Sequence, residues 1–218
     1  SDEFEGDRID TGKWITNYYW GEKLLNDRYT VKGDLQAYTE SDNFEMHNSL
    51  LKIVTRPRKI TGKVWSETRG FEPHEFNYTS GIINSGVSFR QKYGIFTAKI
   101  KLGNPVAKNA FWMLADKITP QIDICRTSGG KVRAGYYPKQ GCAPGISLGQ
   151  RYANDFFIYT LEWTKDFLIW KINGVEFYRQ SSDIPQEPMY VIFSGGLDKP
   201  INSFTTMEID WVRVYQFK

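Results

Sequence analysis

The sequence predicts an all-β fold, an antiparallel sandwich or barrel, and three observations carry that expectation. Short runs rich in β-branched and aromatic residues recur along the chain, punctuated by Gly, Pro, Asn and Asp. No segment sustains a helical period over about 12 residues. Aromatic residues make up 16 % of the chain, with 7 Trp and 13 Tyr, side chains that a pleated, half-buried surface favours.

The strand candidates follow in order: "SLLKIVTR" from Ser49, "YTSGIINSGVSF" from Tyr78, "GIFTAKIKL" from Gly94, "NAFWML" from Asn109 and "KVRAGYY" from Lys131. After them come "FFIYTLEWT" from Phe156, "FLIWKING" from Phe167, "PMYVIFSGG" from Pro188 and "MEIDWVRVYQF" from Met207. Two turns are legible. "SGG" at 128–130 separates "IDIC" from "KVRAGYY", and "NG" at 173–174 joins "FLIWKI" to "VEFYR"; Asn-Gly accepts positive φ and so favours a two-residue hairpin. The stretch around residues 56–77 is irregular in composition and reads as a surface excursion.

No linker, repeat or low-complexity tract interrupts the chain, and 218 residues suit one domain spanning 1–218. A net charge of +3 without a dense Lys/Arg block argues against nucleic acid as a partner. No apolar run approaches the roughly 18 residues of a membrane helix. The opening "SDEFEGDRID" lacks a basic and then apolar leader, so a secretion signal is expected to have been removed or never present. Two cysteines, Cys125 and Cys142, allow one disulfide, a sparse metal pair or two free thiols.

The chemistry is expected in "PQIDICRT", residues 120–127. Strand alternation sends Gln121, Asp123 and Cys125 to one face and Ile122 and Ile124 to the other, with about 6.6–6.8 Å between same-face neighbours. One face is core, and the other presents polar or reactive groups in a row. A retaining glycosidase needs two carboxyl groups about 5–5.5 Å apart, one as nucleophile and one as acid/base.

"QIDIC" resembles the E-I-D-x-E signature of family 16 of the glycoside hydrolases, and the resemblance runs through nearly the whole chain. "DEFEG…DTGKW", "YTSGIINS…KYGIFTAKIKL", "NAFWML", "YTLEWTKDFLIWKINGVEFYR" and "MEIDWVRVYQ" follow in family order. The resemblance implies a β-sandwich jelly roll of the concanavalin A-like lectin/glucanase type, with a concave carbohydrate cleft. It implies cleavage of β-1,3- or β-1,4-linked glucans or galactans, a polysaccharide or oligosaccharide partner, a monomer, and a secreted, periplasmic or cell-surface location.

The departures fall where hydrolysis needs carboxylates. The resemblance places the nucleophile at Gln121, whose amide is a poor nucleophile toward an anomeric carbon. Asp123 keeps the central carboxylate. The acid/base position falls at Cys125, or at Arg126 if the strand carries a one-residue bulge. General acid/base assistance is worth about 10²–10⁴ in rate, so binding with little or no hydrolysis is expected. The alternatives are an altered endo-β-glycosidase using another carboxylate, such as Asp123 itself or Asp116, and a structural or protein-interaction domain. An engineered Glu→Gln change would account for Gln121 but not for the second position.

By the same resemblance, Trp112 is the leading sugar platform, set against a plain core role. Tyr137 falls near a cleft-facing position, or Tyr136 does after a one-residue slip. Trp20 and Trp65 are candidate cleft rims or covers of the sandwich edge. Ile82 stands where many members carry a cleft arginine. His47 and His74 read as surface or local structural residues. No cofactor is required, but a structural Ca²⁺ is implied at Asp210 with backbone carbonyls near Glu3 and Asn48, oxygen donors that suit a hard cation.

Overall fold

A computed structural model describes residues 1–18, 29–66, 68–104, 106–116, 119–138 and 145–218. Its strands, in chain order, begin with β1 (Tyr29–Thr30), β2 (Gln36–Tyr38), β3 (Phe44–Met46), β4 (Leu51–Ser66), β5 (Gly70–Ser80) and β6 (Ile82–Asn84). The central group is β7 (Gly94–Lys101), β8 (Ala110–Leu114), β9 (Gln121–Ser128), β10 (Lys131–Tyr137) and β11 (Ile146–Leu148). A 3-10 turn at Gln150–Ala153 precedes β12 (Phe157–Trp163), β13 (Leu168–Ile172), β14 (Val175–Gln180), β15 (Tyr190–Ser194) and β16 (Thr205–Tyr215).

Two sheets face each other as a jelly-roll sandwich. One runs β14-β13-β12-β7-β16-β4-β5-β2, with β1 and β3 also paired to β4, and the other runs β11-β10-β9-β8-β15-β6. Period-two burial drives the stacking. On β7, Phe96, Ala98 and Ile100 turn inward while Lys99 and Lys101 turn out. On β12 the inward set is Tyr159, Leu161 and Trp163. These meet Phe111, Met113, Ile122, Ile124 and Phe193 from the second sheet in one shared core. Each fully buried large apolar side chain contributes about 1.5–3 kcal/mol.

The two hairpins fold as their residues dictate. Gly129 and Gly130 (φ 57° and 76°) turn β9 into β10, and Asn173 and Gly174 (φ 49° and 81°) turn β13 into β14. The run from Tyr78 to Phe89 divides at Gly81, where the chain leaves β5 in one sheet for β6 in the other. A Cβ at Gly81 would stand 2.6 Å from the Phe44 ring, so only glycine fits this crossing without movement.

The expected surface excursion at 56–77 is instead a regular hairpin arm. β4 and β5 stay in register from Arg56 opposite Thr79 to Ser66 opposite Gly70, with one shift between Pro57 and Ile60. Its polar composition reflects the solvent on most of its surface, while Phe71 packs edge-on to Tyr29 with centroids 5.0 Å apart.

Candidate active-site groove

A groove of about 500 Å³ crosses the face of the six-stranded sheet that points away from the shared core. β8 contributes Trp112 and Leu114, β9 contributes Gln121, Asp123, Arg126 and Ser128, and β10 contributes Arg133 and Tyr137. The segment from Val31 to Tyr38 closes one side with Asp34, Gln36 and Tyr38.

The position of each side chain on β9 follows from one irregularity. Phe111 pairs with Cys125 and Trp112 with Asp123, so a single step on β8 faces two steps on β9, and Ile124 is the extra residue of a β-bulge. Ile124 and Cys125 therefore both enter the core, at 1 % and 0 % exposure. Beyond the bulge Arg126 and Ser128 return to the groove. Strict alternation puts Cys125 beside Asp123; the bulge corrects this and brings Arg126 there instead. Cys125 is a free, buried thiol whose pKa burial pushes well up, a poor setting for a thiolate nucleophile. Cys142 lies outside the described residues.

Asp123, 1 % exposed, has three donors on its two oxygens. Gln121 Nε2 donates to Oδ1 (2.7 Å), and Arg126 donates through Nη2 to Oδ1 (2.9 Å) and through Nε to Oδ2 (2.8 Å). Burial works against the Arg126 charge, but Asp123's charge and hydrogen bonds outweigh it and raise the guanidinium above its ordinary range. The backbone is fixed as well: Trp170 of the opposite sheet donates its indole N–H to the Asp123 carbonyl at 2.9 Å.

Trp112 lines the groove but is only 6 % exposed. Its Nε1 donates to Ser194 Oγ (3.1 Å), and the Arg126 guanidinium lies 5.2 Å from its ring centroid. One face of the indole is therefore engaged by a cation. Tyr137, 40 % exposed and in register with Gln121, presents an open ring. Burial, then the charge of Asp123, raise its phenol pKa. Tyr136 is 4 % exposed and belongs to the core, so the one-residue slip is not the register adopted.

The other candidates lie apart. Trp65 is on the arm, paired with Phe71, and does not line the groove; Trp20 is outside the described residues. Ile82 is fully buried beneath the groove in the cluster that holds Trp112, Tyr18, Tyr29 and Tyr38. Asp116 is exposed and ion-paired with Arg90. His47 and His74 are exposed, His74 edge-on to Phe76. At the calcium candidates, Asp210 pairs with Lys99 Nζ (2.5 Å) and Glu3 accepts both Nε and Nη2 of Arg213. Asn48 is an exposed residue with φ 53°. No group of three His, Cys, Asp or Glu side chains able to hold a metal occurs among the described residues.

Sequence reasoning missed Asp34. Its carboxylate is 7 % exposed, accepts from Thr30 Oγ1 (2.6 Å) and pairs with Lys108 Nζ (3.5 Å). A signal was present: Asp34, Gln36 and Tyr38 alternate in "GDLQAY" and all three line the groove.

A two-sheet jelly roll with an open groove of charged and aromatic side chains across one sheet defines a class: β-sandwich proteins with a cleft over one sheet face. Known proteins narrow it. Residues 26–213 match the model of "Glycosyl hydrolases family 16", and the chain belongs to that family. It is 30 % identical to glucan endo-1,3-beta-glucosidase A1 of Niallia circulans over 99 % of this chain and 37 % of that protein. It is 25 % identical to the endo-1,3-1,4-beta-glycanase EglC of Rhizobium meliloti (strain 1021) over 94 % of this chain and 48 % of that one. The chain thus spans less than half the length of both. The catalytic domain of an endo-1,3-beta-glucanase (laminarinase) from Thermotoga petrophila RKU-1 shares the fold, at TM-score 0.78, 22 % identity, and coverage of 100 % and 96 % of the two chains.

Proposed function

We propose that this chain is a polysaccharide-binding domain of the family 16 type, which holds a β-linked glycan across the six-stranded sheet with little or no hydrolysis. One observation carries the reading. Asp123 is the lone carboxylate on the groove face of β9, and its flanking groove neighbours, Gln121 and Arg126, are a neutral amide and a cation that both donate to it. Two carboxyl groups about 5–5.5 Å apart, one to attack and one to protonate, are what retaining hydrolysis uses, and no glutamate lines the groove among the described residues. The relatives' names, an endo-1,3-beta-glucosidase and an endo-1,3-1,4-beta-glycanase, support a β-linked glycan as the ligand. We further read the protein as secreted, periplasmic or cell-surface and as a monomer.

The test pairs turnover with retention. Incubation with laminarin, mixed-linkage glucan, agarose and porphyran is expected to release no new reducing ends, while at least one polysaccharide gel retards the protein. Tyr137→Ala is expected to weaken that retardation about three- to tenfold through lost stacking. Sustained turnover abolished by Asp123→Ala would establish the altered endo-glycosidase instead. No retention in any gel would favour a structural or protein-interaction domain.

A further inference from the structure

Among the described residues, five charged side chains line the groove: Asp34, Lys108, Asp123, Arg126 and Arg133. Four are matched in pairs, Asp123 with Arg126 and Asp34 with Lys108. Arg133 is the fifth. It is exposed on β10 and makes no hydrogen bond or ion pair with another described residue.

Its placement sharpens the imbalance. The β9–β10 register sets Arg133 directly opposite Arg126, with both residues lining the groove. Like charges directly across an antiparallel pair repel. Asp123 offsets Arg126, whose Nε and Nη2 are already engaged, and no described groove carboxylate is left for Arg133. Ser128, two residues beyond Arg126 on the same strand, brings a hydroxyl to the same stretch of groove.

The geometry points to an anion subsite formed by Arg133 and Ser128, and hence to an acidic polysaccharide, carrying sulfate esters or carboxylates, as the ligand preferred over a neutral glucan. This inference rests on the reading of the groove as a glycan site. A guanidinium presents a planar fork that matches two oxygens of a carboxylate or sulfate, a contact stronger than one to a sugar hydroxyl. Arg133 supplies that fork, and Tyr137 on the same strand offers its ring to the adjoining sugar.

Affinity electrophoresis of the whole chain tests this, with gels containing laminarin as the neutral glycan, carrageenan as the sulfated one and polygalacturonate as the carboxylated one. One acidic gel is expected to retard the protein more than laminarin does, and which one identifies the anion. Raising the salt should weaken the retardation, and Arg133→Gln should weaken it about tenfold. Lys165→Gln, which removes the same charge from an exposed site outside the groove, should leave it unchanged. Because Arg133 is exposed, its variant is expected to melt with the wild type. Stronger retention by laminarin, retention indifferent to Arg133→Gln, or equal losses in both variants would each overturn the anion subsite while leaving glycan binding intact. Absence of retention in all three gels would overturn both readings.

Discussion

Arg126 holds the groove's chemistry in a fixed state. Asp123 is 1 % exposed and the Arg126 side chain 17 % exposed, so each depends on the other for the hydration it has lost. Arg126→Ala would leave a buried carboxylate without its cation, beside the neutral Gln121 amide and Tyr137 phenol, and is expected to cost about 3–5 kcal/mol in urea denaturation. A loss under 1 kcal/mol would show that water reaches Asp123 readily. How much of this was legible in the sequence differs by residue. Gln121 and Asp123 follow from a period of two. Arg126 does not; the family resemblance offered it beside Cys125 on condition of a bulge, and the bulge at Ile124 is set by what β8 and β10 place opposite, a relation between strands that one strand's pattern does not contain. Asp34 escaped for a different reason: its alternating triplet is too short, and too mixed in polarity, to read as a strand edge.

The same division holds for elements. Both hairpins were legible because positive φ is a local demand that Gly and Asn meet locally. The arm of β4 and β5 was not, because its polar faces carry no amphipathic alternation, and its order comes from pairing across the hairpin together with β1 running parallel at Lys63 and Val64. Gly94 opens β7 at φ 120°, and a Cβ there would stand 2.3 Å from the Tyr215 carbonyl oxygen of the neighbouring strand. Gly94→Ala combines a strained backbone with a clash against main chain, so a loss of about 2 kcal/mol or more is expected from its urea midpoint. A variant as stable as the wild type would mean that β16 can shift at that end.

Across the whole molecule, the sandwich keeps several buried phenols neutral. Burial raises the pKa values of Tyr18, Tyr29, Tyr38 and Tyr159 above the ordinary tyrosine value. An unfolded tyrosine ionises near pH 10. Below about pH 9 both states keep these protons, and the groups add no slope. Above about pH 10 the unfolded chain loses protons that the folded chain retains, so stability falls as pH rises. Melting temperatures between pH 7 and 11.5 should stay level with respect to these groups and then drop, with tyrosinate absorbance growing only as the chain unfolds; early absorbance at full structure would contradict it. The bulge in β9 also matters for anyone seeking to rewire this groove. A glutamate introduced at 125 would be entombed in the inter-sheet core, whereas one at 126 would replace the cation on Asp123 and open onto the groove. The route to new reactivity therefore runs through the residue that now holds Asp123 in check.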